Sequence, residues 1–93
     1  MIIGLLRCEC ILYNAQSLKN KRSVIQSVLA RAKNRFNVAA SEIGFQDVWQ
    51  RAELAFVTVA SSKTVAENEL RQVLTLIDQN EELDCAKSTW EWL

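Results

Sequence analysis

The first stretch of the chain alternates between two kinds of position. From Ile2 to Tyr13 one set of alternate positions is almost wholly apolar, whereas the other set includes the charged residues Arg7 and Glu9. Because successive side chains of a strand point to opposite faces of a sheet, this period of two predicts a β-strand with one buried face. We expect the face that carries Arg7 and Glu9 to be the less covered one.

Two later segments repeat their apolar residues at helical spacing. In Lys21–Phe36 the apolar residues recur at intervals of three and four, and the same spacing returns in a segment that runs to about Gln79. Such a stripe predicts an amphipathic helix with one buried face. Ser17 or Asn20 is suited to cap the first helix, and a serine in 61–62 the second, since these side chains accept hydrogen bonds from free N–H groups.

Three further segments have the composition of strands. Val38–Phe45 and Cys85–Trp92 are short, and Arg51–Ala60 contains the β-branched and aromatic run Ala-Phe-Val-Thr-Val. The order βαββαβ predicts one α+β domain over residues 1–93, a ferredoxin-like split βαβ sandwich with two helices on one face of a four-stranded antiparallel sheet. Right-handed crossovers place strand three between strands one and two, and strand four beyond strand one.

This topology brings three connections to one end of the sheet, namely the turns 14–21 and 80–84 and the hairpin 46–50. The first turn and the helix behind it are basic, the hairpin contains Trp49, and Arg51 follows it. Cations at a helix N-terminus lose a few tenths of a kcal/mol each, and a phosphate bound there would explain their presence. The predicted RNA- or anion-binding residues are Lys19, Lys21, Arg22, Arg31, Lys33, Arg35, Trp49 and Arg51.

The charge balance of the whole chain leaves that assignment open. Eleven basic and eleven acidic residues give zero net charge, which is not the strongly basic balance of a dedicated nucleic-acid binder. Residues 19–35 nevertheless contain basic residues and no acid, while the second half of the chain is acidic. Two interpretations remain: a basic surface for phosphate, or two solvated helices of opposite sign whose charges neutralise each other.

The residue types limit the chemistry that the chain can perform. It has no histidine and two glycines, which excludes Ser-His-Asp and Cys-His triads, histidine metal ligation and glycine-rich phosphate loops. Cys8, Cys10 and Cys85 are too few for a typical zinc site, and cysteine commonly packs as a small hydrophobe. We expect a protein that is not an enzyme, with no cofactor, metal or small-molecule ligand. An acid/base pair of Glu42 and Asp47 is the enzymatic alternative.

The sheet face away from the helices offers a second possible interaction surface. It is predicted to carry Ile3, Leu5 and Ile11, which a monomer would leave exposed. A homodimeric structural or regulatory module that pairs through this face is therefore the alternative to RNA binding. The amino-terminal apolar run is too short for a signal peptide or a membrane span, and we expect a cytoplasmic protein with reduced thiols.

Five segments, spread over the whole chain, carry a distinctive combination of motifs. They are Gln16–Arg22, Asn34–Val38, Ser41–Ile43, Gln46–Arg51 and Trp90–Leu93. Together they resemble the YlxP-like family of short bacterial proteins, a domain of unknown function. The resemblance implies a ferredoxin-like fold and a gene that often lies beside translation-initiation and ribosome-maturation genes in Firmicute-type bacteria. It suggests a non-enzymatic accessory protein of translation or ribosome assembly, with ribosomal RNA or a ribosomal precursor as partner, and it supplies no catalytic residue.

Overall fold

Strands and helices follow one another in the order that the periodicities predict. In the computed structural model, which describes residues 1–93, they are β1 (Ile2–Ile11), α1 (Leu18–Arg35), β2 (Ala39–Gly44), β3 (Arg51–Ala60), α2 (Lys63–Asp78) and β4 (Asp84–Trp92). The sheet has the order β2-β3-β1-β4 with every neighbouring pair antiparallel. The predicted ferredoxin-like α+β fold is confirmed.

The alternation in β1 separates a buried face from an open face. Leu6, Cys8 and Cys10 are buried under the two helices, whereas Arg7 between them is exposed. The buried face continues across the sheet, because Leu6 lies opposite Phe56 of β3, which is also fully buried. The core therefore lies between one sheet face and the helices, and the face that carries Arg7 is the open one.

The Trp92 ring of β4 lies directly over Gly4 of β1. A Cβ atom added to Gly4 would lie 2.8 Å from the Trp92 ring and 3.1 Å from the Leu70 side chain. Trp92 stacks on Trp90 with 6.2 Å between the ring centroids. Glycine at position 4 is therefore required by the ring that covers it, and the two tryptophans close the β4 side of the core.

Helix α1 begins earlier than its apolar stripe indicates. Ser17 is the N-cap, and its Oγ accepts a hydrogen bond of 3.0 Å from the Asn20 N–H. The helix therefore includes Lys21 in its second turn, in phase with the buried residues Ile25 and Val28. Neither helix of the chain has the length and hydropathy that crossing a bilayer requires.

Candidate functional site

The β2–β3 hairpin and the β1–α1 turn are joined at one end of the molecule. The Leu12 N–H donates to the Gln50 carbonyl oxygen over 2.8 Å, and the Gln50 side-chain amide donates to the Tyr13 carbonyl oxygen over 3.1 Å. The third connection also ends here, because Asp84 at the start of β4 lies opposite Ile11. The convergence of these three connections, expected from the topology, is confirmed.

This end of the molecule exposes large apolar side chains. The exposed fraction is 63% for Tyr13, 51% for Trp49, 42% for Val48 and 36% for Phe45. Tyr13 follows and Trp49 precedes the last β1–β3 pair, Ile11 and Arg51, by two residues each. The Arg51 guanidinium lies 4.3 Å from the centroid of the Phe45 ring, within the range of a cation–π contact. We call these residues the tip surface: Tyr13, Phe45, Val48, Trp49 and Arg51.

A buried lysine of α1 anchors the start of the β2–β3 hairpin. The Lys21 side chain is fully buried, and its ammonium donates a hydrogen bond to the Phe45 carbonyl oxygen. The same ammonium lies 2.9 Å from Oε2 of Glu42 on β2. This oxygen is enclosed and accepts no directed hydrogen bond, so the ionic contact with Lys21 is what compensates its burial. The three residues tie the first turns of α1 to the start of the hairpin.

Phe45 has a backbone conformation that aromatic residues rarely adopt. Its φ angle is 58°, in the left-handed region, and it is the only residue of the chain with a positive φ. Left-handed backbone is uncommon outside glycine and asparagine and is maintained only where the surroundings enforce it. The hydrogen bond from Lys21 to the Phe45 carbonyl oxygen supplies that constraint. The backbone of the hairpin is thus held at Phe45, whose ring lies against the Arg51 guanidinium.

The prediction that Lys21 is a surface cation for anions is wrong. The Ser17 cap starts α1 early enough to place Lys21 on the inward face of the helix, where its ammonium is used by Glu42 and Phe45. Its spacing of four from Ile25 and seven from Val28 is the signal in the sequence that places it there. Because lysine is seldom fully buried, the apolar stripe that predicts the helix begins at Val24 and does not include Lys21.

The other predicted cations divide into two groups along α1. Lys19 and Arg22 are exposed near its N-terminus, and neither makes an ion pair within the chain. Arg22 also lines a groove of about 370 Å³ between α1 and β2, together with Gln46 and Asp47 of the hairpin. The structure thus places Arg22 beside the hairpin, with Lys19 one turn before it.

The second group lies at the opposite end of the helix. Arg31, Lys33 and Arg35 are exposed, and at 1.5 Å per residue they lie roughly 14–20 Å along the axis from Arg22. Arg31 and Arg35 line a separate groove of about 550 Å³ between the helices, with Glu81 and Glu82 on its other side. The eight predicted binding residues therefore do not form one surface.

The open face of the sheet also divides into two parts. Ile3 and Leu5 lie opposite Val59 and Val57, and these four residues form a contiguous apolar half. Ile11 lies beyond the charged residues Arg7 and Glu9, near the tip surface. The three residues predicted for a dimer interface are thus on the predicted face, but Ile11 is separated from the other two.

The remaining reactive groups are engaged in packing or pairing. Burial raises the pKa of Cys10 to about 12 and that of Cys8 still further, with the nearby Cys85 thiol as the next cause. No group of three or more histidine, cysteine and acidic side chains has an arrangement that would hold a metal ion. Glu42, one half of the proposed acid/base pair, is occupied by Lys21.

Comparison with known proteins identifies a family, a bacterial relative and a structure of similar fold. Residues 3–90 match the family described as protein of unknown function (DUF503). The uncharacterized protein YlxP of Bacillus subtilis (strain 168) is 46% identical over 91 residues, which cover 98% of this chain and 99% of that protein. The apo form of LarC2, the C-terminal domain of a cyclometallase involved in the synthesis of the NPN cofactor of lactate racemase, has a TM-score of 0.58 at 10% identity. The whole chain is covered and spans 55% of that structure, and at this identity the likeness extends to the fold alone.

Proposed function

The chain belongs to the DUF503 family of proteins of unknown function, and from this premise we propose that it is a non-enzymatic accessory protein of translation or ribosome assembly. In this proposal it acts in the cytoplasm and contacts single-stranded segments of ribosomal RNA or of a ribosomal precursor. The tip surface makes the contact, with Lys19 and Arg22 beside it. The ribosomal setting rests on the gene neighbourhood that the family resemblance implies.

The observation that carries the proposal is a group of exposed aromatic rings at the end of the molecule where Lys21 anchors the hairpin. Trp49 on the hairpin and Tyr13 in the β1–α1 turn each expose more than half of their surface. Bases stack on such rings with about 1–3 kcal/mol per base, whatever their identity. Because Lys21 already holds the Phe45 backbone, little conformational entropy is lost when a base is bound.

The charges beside the rings complement a phosphate backbone. Lys19, Arg22 and Arg51 are exposed and without acidic partners in the chain, so each can neutralise a phosphate without first breaking an ion pair. Asp47 lies in the same groove as Arg22 and reduces the local positive potential. This favours a contact of moderate affinity in which stacking supplies a large share of the binding energy.

The proposal is tested by co-sedimentation with ribosomal particles from the host at low and high salt, and by titration of a single-stranded RNA. Trp49→Ala and Arg22→Glu are expected to weaken both interactions while the melting temperature stays near that of the wild type. Lys33→Glu is the matched control, since it changes the same charge on the same helix away from the hairpin. Failure to bind ribosomal particles or RNA at any salt concentration would refute the proposal.

A homodimeric module that pairs through the open sheet face is the second candidate. It is favoured by the apolar half of that face, where Val59 exposes 51% of its surface beside Ile3 and Leu5. Burying these side chains would stabilise a dimer by about 25 cal/mol per Å² of apolar surface, before the loss of freedom on association. Val59→Lys should then abolish dimer formation in sedimentation equilibrium, and a dimer that survives this change would exclude the face.

A further inference from the structure

Strand β4 lies at one edge of the sheet, and its outer side has no neighbouring strand. We infer that the protein forms a homodimer in which two β4 strands pair antiparallel about Thr89 and join the two sheets into one. The inference concerns a different surface from the proposed RNA contact and does not rest on it. Three properties of β4 carry it: its free backbone groups, its charges and the sizes of its side chains.

The hydrogen bonds to β1 reveal which backbone groups of β4 are free. Ile3 and Leu93 exchange two hydrogen bonds, of 2.9 and 3.5 Å, so they form a hydrogen-bonded pair of the antiparallel ladder. Because this orientation alternates along a strand, the backbone groups of Glu91 and Thr89 also point towards β1. Those of Ser88 and Trp90 consequently point outwards, where a second strand can pair with them.

The charges of the strand select the register. With Thr89 at the two-fold axis, Lys87 of each copy lies directly opposite Glu91 of the other, on the open face of the sheet. Such positions are non-hydrogen-bonded pairs, in which the side chains approach most closely. Lys87 makes no ion pair within its own chain, and Glu91 is half exposed with only a long contact of 3.8 Å to Arg7. Both groups are therefore available to the partner.

Side-chain size selects the same register on the other face. With Thr89 at the axis, each Trp90 lies opposite Ser88 of the other copy, so a large half-buried ring meets a small side chain. An axis at Trp90 would oppose two indole rings, and an axis at Ser88 would leave Lys87 opposite Thr89 without a carboxylate. The bulge that the β1–β4 register shows at Ala86 limits the new ladder to residues 87–91. A lysine at a sheet edge commonly prevents pairing, but in this register it is matched.

Proline substitution distinguishes this edge from any other dimer surface. Ser88→Pro removes an N–H that points away from β1, so the chain is expected to fold with a near-normal melting temperature. The substitution also removes a hydrogen bond to the partner strand, and the proline ring would collide with that strand. Sedimentation equilibrium should give twice the chain mass of 10.6 kDa for the wild type and a monomer for Ser88→Pro. Ser88→Ala, which retains the N–H, is the matched control and should remain dimeric.

Charge exchange tests the register itself. Lys87→Glu replaces two attractive contacts by two repulsive ones, which corresponds to about a tenfold or greater rise in the dissociation constant of the dimer. The double variant K87E/E91K restores opposite charges across the axis and should recover most of the affinity. A monomeric wild type, a Ser88→Pro variant that dimerises normally, or a double variant no tighter than Lys87→Glu would each overturn the inference. A dimer lost in Val59→Lys but kept in Ser88→Pro would assign the interface to the open face instead.

Discussion

At the scale of single residues, the least ordinary feature is a lysine with no exposed surface. Moving an ammonium group from water into the protein interior has a large unfavourable free energy, which is offset only by a close counter-ion and hydrogen bonds. Lys21 has both, in Glu42 and the Phe45 carbonyl oxygen. The Lys21–Glu42 ion pair therefore holds the hairpin in position. Removing either charge alone leaves the other without a counter-ion.

Substitution of Lys21 should separate stability from function. Lys21→Met is expected to lower the free energy of unfolding by about 3–5 kcal/mol, because the enclosed Oε2 of Glu42 then loses its counter-ion. The double variant K21M/E42L should recover most of that loss, since two packed apolar side chains can replace a buried ion pair. Chemical denaturation measures both changes.

RNA affinity provides the second measurement on the same two variants. Both variants lack the hydrogen bond from Lys21 to the Phe45 carbonyl oxygen, so we expect both to bind RNA more weakly than the wild type. The double variant should bind weakly even though its stability recovers. An affinity that recovers together with stability would show that Lys21 has no role in orienting the tip surface.

The buried thiols should make stability depend on alkaline pH. Burial raises the pKa of Cys8 and Cys10 above the ordinary value of 9.0, so the unfolded state loses these protons at lower pH than the folded state. The free energy of unfolding should therefore be insensitive to thiol ionisation below about pH 8 and fall as the pH rises through 9 towards 12. Denaturation at a series of pH values measures this slope. Cys10→Ala should reduce it, and an unchanged slope in that variant would contradict the assignment.

At the scale of the elements, periodicity predicted β1 and the two helices correctly because each has one buried face, whereas composition predicted the other three strands. The apolar stripe places the start of α1 at Lys21, whereas the helix begins at Leu18, because Ser17, one of the two predicted caps, sets its start. The bulges in β2 and β4 also left no pattern in the sequence, since an extra residue in a strand is specified by its partner strand. The tip surface was predicted only in part: Trp49 and Arg51 were identified, whereas Tyr13 and Phe45 required the geometry.

The contact between β1 and β4 should be sensitive to a single methyl group. Gly4→Ala places a Cβ atom 2.8 Å from the Trp92 ring, a distance at which the ring must move. We expect a loss of about 1–3 kcal/mol in the free energy of unfolding, the usual range for overpacking of a core. Thermal denaturation measures the loss, and a change in near-ultraviolet circular dichroism should accompany it. Wild-type stability in this variant would mean that Trp92 is free to rotate away.

At the scale of the whole molecule, charge is distributed so that no face is strongly basic. The domain measures 42 × 20 × 17 Å, and its cations are divided among the two ends of α1, the sheet and α2. A protein of this kind does not attract RNA over long distances, so the proposed binding would depend on short-range contact at the tip surface. This explains how zero net charge is compatible with the proposed function.

The salt dependence of RNA binding should therefore be shallow. If Lys19, Arg22 and Arg51 each neutralise one phosphate of a single strand, the logarithm of the binding constant should fall with the logarithm of salt concentration with a slope of about −2. Titrations at several salt concentrations measure the slope, and Arg22→Glu should reduce its magnitude. A much steeper slope would indicate that Arg31, Lys33 and Arg35 also contact the strand.

The positions of the three tryptophans give the protein intrinsic optical reporters at two separate places. Trp49 is half exposed on the hairpin, so it should emit at long wavelength and be quenched readily by acrylamide. Trp90 and Trp92 are stacked and half buried on β4, so they should emit at shorter wavelength and give an exciton signal in circular dichroism. Binding at the hairpin and association at β4 can thus be followed in one unlabelled sample, each through its own signal.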